Sequence, residues 1–258
     1  MKILASGCSM TSGFETTAHG SQTSADLANS WPKHLGQILG VECHNIATPG
    51  WDNACIWLNL QAELIENKWD PADTLVIIGW TSFNRSHYCS EQMCLYLNPW
   101  SAKDPRSYYD HRDRGFISAA DAWVRQDPND LINSSIQIMS SAQTWLRHNG
   151  YQYIWVNCLG GLGIPQWDLT LVTRDYQPCT SIKQGLDSDP AYLHQIDQYT
   201  WLDQNYPGGR VVWDDPGFKA SEHNHWDSAS LKLWAEHVYA WAKEKDHLSG
   251  LDQSNFKN

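Results

Sequence analysis

Residues 74–80 read Thr-Leu-Val-Ile-Ile-Gly-Trp. An uncharged, β-branched run of this length suits a strand covered on both faces, as strands of a parallel sheet are. Upstream, Lys2–Ser6 reads as a short first strand ending in a Gly- and Ser-rich loop, Gly7–Gly13. Ser30 is placed to cap a helix, with Pro32 in its first turn, that runs to about Leu39 before Gly40. Glu42–Ala47 reads as a second strand closed by Thr48-Pro49-Gly50, and Asp52 or Asn53 caps a helix reaching about Asn67.

Downstream, an irregular stretch from about Asn84 to Asn129 carries Tyr96, Trp100, Tyr108 and Tyr109. Connections of this length are usually lids or binding loops. A helix is expected over about Asp130–His148 and a strand over Tyr151–Asn157. A second long connection, 159–189, precedes a helix at about Ala191–Gln204 and a short strand at Arg210–Trp213. In the last helix, about Ser228–Lys245, Leu231, Trp234, Val238 and Trp241 follow the spacing of one buried face.

Strand–helix alternation of this kind implies an α/β fold: three layers, α/β/α, around a mainly parallel five-stranded sheet. The expected organisation is one domain over residues 1–245, with insertions at about 85–129 and 159–189, followed by a polar tail at 246–258. Ligands of such sheets bind outside the carboxyl ends of the strands. Residues that follow strands are therefore the ones to inspect.

Composition narrows the classes. The 258 residues include 18 Lys plus Arg against 29 Asp plus Glu, a formal net charge of −11. Nothing in that balance would displace counterions from nucleic acid, so no nucleic-acid partner is expected. No stretch approaches the roughly 20 apolar residues of a membrane span, and the apolar run at Met1–Ser6 is too short for a signal peptide. The seven cysteines (Cys8, Cys43, Cys55, Cys89, Cys94, Cys158 and Cys179) are odd in number and form no CxxC pair. They read as buried thiols in a reducing compartment, which argues against a disulfide framework and against zinc. The expected location is the cytoplasm, with virion association as the alternative. The 15 tryptophans either fill a core or line a binding surface.

Four segments carry polar groups at strand ends. Gly7-Cys8-Ser9-Met10-Thr11-Ser12-Gly13 follows the first strand. A serine in a tight turn there can project its hydroxyl into solvent beside loop amides, as a nucleophile near an oxyanion site requires. The plainer reading is a βα turn that caps a helix or cradles a phosphate, although no Lys follows the second glycine. Asn45–Asn53 follows the second strand, and the N–H of Gly50 is a candidate oxyanion donor or simply part of a turn. Gly79–Arg85 follows the third strand, with Thr81 or Asn84 as a possible side-chain donor. Glu222-His223-Asn224-His225 precedes the last helix. A carboxylate three residues ahead of a histidine can hold its Nδ1–H and leave Nε2 free for a serine proton. The plainer reading is a polar loop in which Asp227 caps the helix.

Together these segments resemble the SGNH/GDSL hydrolase family. Gly7–Gly13 matches the spacing of that family's Gly-Asp-Ser-x-x-x-Gly block, with Cys8 in place of the aspartate. Gly50 lies where a second-block oxyanion glycine would be. Glu222 and His225 match the terminal Asp-x-x-His block, with Glu for Asp. The third block, usually Gly-x-Asn-Asp, reads Gly79-Trp80-Thr81-Ser82 and lacks its Asn.

The resemblance implies a flavodoxin-like SGNH fold and a serine esterase working through an acyl-enzyme without cofactor or metal. It assigns Ser9 as nucleophile, His225 as base and Glu222 as its orienter. Ser9, Gly50 and Thr81 or Asn84 would serve as oxyanion donors. Trp80, Trp226 and Arg85 flank these residues as candidate substrate contacts. The expected partner is a small-molecule or glycan ester, with O-acetylated carbohydrate preferred. A catalytically weak SGNH-like binding domain, an acyltransferase using the same Ser/His pair, and a flavodoxin-like phosphate binder are the alternatives.

Overall fold

A computed structural model describes residues 1–14, 24–81, 85–89, 94–97, 128–157, 201–202, 205–206, 210–211, 226–244 and 248. In chain order the elements are β1 (Lys2–Gly7), α1 (Ser9–Ser12), α2 (Ser24–Ala28), α3 (Trp31–Leu39), β2 (Glu42–Asn45), α4 (Asn53–Glu66) and β3 (Thr74–Trp80). They continue with β4 (Ser86–Cys89), β5 (Cys94–Leu97), α5 (Pro128–His148), β6 (Gln152–Asn157), β7 (Trp201–Leu202), β8 (Asn205–Tyr206), β9 (Arg210–Val211) and α6 (Ser228–Glu244).

Five strands form one sheet in the order β2-β1-β3-β6-β7, and every pair in it is parallel. All seven residues of β3 are buried, as its apolar run requires of a central strand. β2 lies at the sheet's edge and alternates instead: Glu42 and His44 face out, Cys43 and Asn45 face in. Helix α3 packs on β1, β2 and α6, while α4 packs on β1, β3 and α5. The result is the three-layer α/β/α arrangement.

The helix ends follow their sequence signals. Ser30 occupies the N-cap of α3 and Pro32 its first turn. The helix closes at Gly40, with Val41 N–H donating to the Gly36 carbonyl at 2.9 Å and Gly40 N–H to that of Gln37 at 3.2 Å, a Schellman closure. Asp52 caps α4 by accepting from Cys55 N–H at 2.8 Å, and Asp227 caps α6 by accepting from Ser230 N–H at 2.8 Å.

Three sequence expectations are corrected. The fifth strand of the sheet is Trp201–Leu202, where a helix is expected, and it pairs with β6. Arg210–Val211 is a strand, but it pairs antiparallel with β8 in a separate two-stranded ribbon. The irregular stretch after β3 contains the antiparallel pair β4–β5, in register from Ser86↔Leu97 to Cys89↔Cys94. These segments are too short or too polar to print a periodicity.

Tryptophan fills the core. Trp31, Trp80, Trp155, Trp226 and Trp234 are fully buried, and Trp57 nearly so. On adjacent strands, Trp80 meets Trp155 edge to face, with centroids 5.4 Å apart at 86°. Trp57 meets Trp145 at 68°, and Trp145 stacks on Tyr151 at 12°. Edge-to-face and offset pairs like these add roughly 0.5–1.5 kcal/mol each beyond their burial. No helix among the described residues is long and apolar enough to cross a membrane.

Candidate active site at the carboxyl edge of the sheet

The chain leaves β1 for β2 on one side and later enters β3 on the other, so the strand order reverses beside β1. The crevice beyond such a reversal is where doubly wound sheets bind ligands. The segments after β1, β2 and β3 meet there.

The segment after β1 is a single helical turn rather than an open loop. Cys8 is extended at the N-cap, and its carbonyl accepts from Thr11 N–H and Ser12 N–H, both at 3.0 Å. Gly7 permits this turn: a Cβ there would lie 2.2 Å from Thr11 Oγ1 and 2.9 Å from the Gly79 carbonyl of β3. Gly13 closes it in the left-handed region at φ +72, with Phe14 N–H donating to the Ser9 carbonyl at 3.2 Å. The two glycines of the Gly7–Gly13 block are thus both structural. Ser9 is the first residue of α1, where backbone N–H groups have no intrahelical acceptor. Its expected projection into solvent is corrected: the turn draws it inward, and Ser9 is 4% exposed. Cys8 is wholly buried.

After β2 the backbone continues beside β1, with Ile46 N–H donating to Ala5 O at 2.8 Å and Thr48 N–H to Gly7 O at 3.0 Å. The latter bond joins the Gly50 turn to the last residue of β1, two before Ser9. Pro49 and Gly50 occupy the centre of the turn, with Gly50 at φ +86 and Trp51 N–H donating to Thr48 O at 3.4 Å. These are the residue types a type II turn needs.

Two buried asparagines tie the edge together: Asn45, to which sequence reasoning gave no role, and Asn53, offered there only as an alternative to Asp52 for the cap of α4. Asn45 Nδ2 donates to Thr11 O and to Ser30 Oγ, both at 2.9 Å, while Asn45 Oδ1 accepts from Ala47 N–H at 3.0 Å. It therefore fixes α1, the start of α3 and the exit of β2. Asn53 Oδ1 accepts from Thr81 N–H at 2.9 Å, and its Nδ2 donates to Ser135 Oγ at 3.3 Å. It joins α4, the end of β3 and α5. Their one signal in the sequence is an amide side chain in an otherwise apolar or turn-forming context.

Asp52 carries a further pairing. Its Oδ2 lies 2.6 Å from His87 Nδ1 on β4. Asp52 is buried, and His87 and Cys55 are half-buried. Burial, and then the carboxylate of Asp52, pushes the Cys55 thiol up to about 12.

Thr81 is 5% exposed. Its N–H is committed to Asn53, and its hydroxyl has no partner among the described residues. The Nε of Arg85 is likewise buried and unpartnered among the described residues. Trp80 and Trp226 are each 1% exposed, and Trp226 packs on Trp234 at 5.5 Å. Both rings belong to the core, which leaves almost none of either surface for the substrate contact expected of them. Glu222, His225 and Asn84 lie outside the described residues. The structure brings the segments of Ser9, Gly50 and Thr81 to one edge. A cavity of about 540 Å³ opens at the opposite end, beside Lys2, His44, Glu63, Trp69 and Asp73.

No family model matches the chain, and no curated protein matches it. Solved structures do. A carbohydrate esterase family 2 enzyme with a carbohydrate-binding domain, from Corynascus thermopiles (Myceliophthora fergusii), aligns with a TM-score of 0.51 at 12% identity, over 94% of this chain and 66% of that one. A protein of Desulfitobacterium hafniense DCB-2, described as lipolytic and of the G-D-S-L family, aligns with a TM-score of 0.48 at 15% identity, over 93% and 98% of the two chains. The acetyl xylan esterase Est2A from the rumen bacterium Butyrivibrio proteoclasticus gives 0.46 at 15%, over 95% and 64%. The first of these carries the fold: the chain shares the α/β/α architecture of that enzyme.

Proposed function

We propose that the protein is a serine-dependent ester hydrolase of the SGNH type, with O-acetylated carbohydrate as the preferred substrate class. One observation carries the reading. Ser9 begins the helical turn directly after β1, at the strand-order reversal, and the Gly50 turn is bonded to the same junction through Thr48 N–H and Gly7 O.

In this reading Ser9 Oγ attacks the ester carbonyl while its proton passes to His225 Nε2, and Glu222 supports the imidazolium. The Ser9 and Gly50 N–H groups, with the hydroxyl of Thr81 or the amide of Asn84, stabilise the oxyanion. His225 returns the proton to the departing alcohol, leaving an acyl-Ser9 ester. Water, deprotonated by His225, then attacks that ester, and His225 returns the proton to Ser9 Oγ as the acid is released. Because the Thr81 N–H is already bonded to Asn53, its hydroxyl is the group it has to offer.

A serine-directed phosphonate is the test, followed by intact mass and by hydrolysis of a short-chain acyl ester. Labelling is expected on Ser9, with labelling and turnover both lost in Ser9→Ala and in His225→Ala. Unchanged turnover in Ser9→Ala would overturn the reading. A weakly active ligand-binding domain is the second reading, and the 4% exposure of Ser9 favours it. It predicts no labelling of the wild-type chain.

A further inference from the structure

Asp52, Cys55 and His87 offer a carboxylate oxygen, a thiol sulfur and an imidazole nitrogen that all lie within 4.8 Å of one another. We propose that these three side chains form a binding site for one zinc-class divalent transition ion, with a fourth coordination position open.

The site is built from two elements. Asp52 and Cys55 are the N-cap and third residue of α4, a spacing that places both side chains over the first helical turn. His87 reaches them from β4. Asp52 Oδ1 is held by Cys55 N–H at 2.8 Å, and Oδ2 is turned toward His87 Nδ1 at 2.6 Å. A ligating carboxylate steadied by a backbone amide is the outer-shell support that metal sites use.

A tetrahedral ion requires only small shifts of these atoms. Bonds of about 2.0–2.3 Å place neighbouring ligand atoms roughly 3.3–3.6 Å apart. The Asp52–His87 contact would open by about 1 Å to that spacing as its shared hydrogen bond is exchanged for two metal bonds. One carboxylate, one thiolate and one neutral imidazole sum to a charge of −2, which a divalent cation neutralises. Binding releases the thiol proton to solvent, and the imidazole proton shared with Asp52 leaves Nδ1, so that the bound His87 ring carries its one proton on Nε2. Sulfur and nitrogen donors favour zinc or cobalt over magnesium or calcium. The absence of a CxxC pair, which argues against zinc in the sequence, leaves this Asp-x-x-Cys plus distant His set untouched.

An ion here would clip β4 onto the N-terminus of α4, two residues beyond the Gly50 turn. This role is independent of ester hydrolysis. The experiment titrates reduced, chelator-stripped full-length protein with Co²⁺ and then with Zn²⁺. One equivalent of cobalt is expected, with a thiolate-to-metal charge-transfer band and the visible bands of four-coordinate cobalt. Zinc should displace it one for one and raise Tm. Cys55→Ser should abolish the charge-transfer band. His87→Ala and His87→Gln should weaken binding by more than the roughly 10- to 100-fold typical of losing an outer-shell partner. His44→Ala, at the other end of the sheet, should leave binding intact. Absence of stoichiometric binding by the wild type, or unchanged binding in a Cys55→Ser/His87→Ala double variant, would overturn the proposal and leave an Asp–His hydrogen bond only.

Discussion

The two ends of the central sheet are built from different polar chemistry. At the amino end, polar groups meet near solvent: the Met1 ammonium with Asp73, Lys2 with Glu42 at 3.9 Å, and the His44 ring with Glu63 at 3.8 Å. At the carboxyl end, Asn45, Asp52 and Asn53 are buried, each bonded to backbone at 2.8–3.0 Å. Solvated ion pairs contribute little and tolerate movement. A buried amide bonded to backbone fixes position, and its loss leaves costly orphans. The sheet thus places its directional bonds where segments after three strands must hold a common geometry.

The largest expected effect is at Gly7. Gly7→Ala should destabilise by about 3 kcal/mol through overpacking against Thr11 and the Gly79 carbonyl, read as a lower urea midpoint. Asn45→Ala comes next, at about 2 kcal/mol, because Thr11 O, Ala47 N–H and Ser30 Oγ each lose a buried bond to its amide. A loss as small as that of an amino-end variant would break the contrast.

Cys43 tests the inward face of β2. Burial pushes its thiol from 9.0 up to about 12. The unfolded chain therefore releases this proton first as pH rises. The stabilisation is complete below pH 9 and falls between about pH 9 and 12, by roughly 1.4 kcal/mol per pH unit. Urea titrations of wild type and Cys43→Ala should converge over that window.

Gly150, which precedes β6 at the amino end, sharpens the comparison with Gly7. A Cβ there meets nothing within 4 Å, so Gly150→Ala costs only the left-handed backbone at φ +76, about 1 kcal/mol. The smallest effects are expected for Glu42→Gln and Lys2→Gln, each within about 0.5 kcal/mol. Their measurement needs the same denaturation series at low and high salt.

The features legible in the sequence are those written in local pattern. Strand β3 matches its apolar run residue for residue, and α3, α4 and α6 begin at the caps their residues announce. The parallel sheet and the carboxyl-edge location of Ser9, Gly50 and Thr81 follow from those elements. The turn α1 is too short for periodicity, so its serine reads as exposed when it is buried. The two residues of β7 are too few to outweigh the helical pattern around them. The Asp52–His87 contact joins residues 35 apart, a relation no local rule contains. Asn45 and Asn53 likewise act through partners on other elements, and a sequence shows the amide but not its acceptors.

The crossed indoles of Trp80 and Trp155 also have an optical consequence. Two transition dipoles 5.4 Å apart in a T-shaped pair couple strongly if their orientation is chiral. Their circular dichroism would then include a split component from the β3–β6 pairing, read as the difference between the wild type and either single Trp→Phe variant. That component would report the integrity of the sheet's centre separately from the helices that dominate the rest of the spectrum.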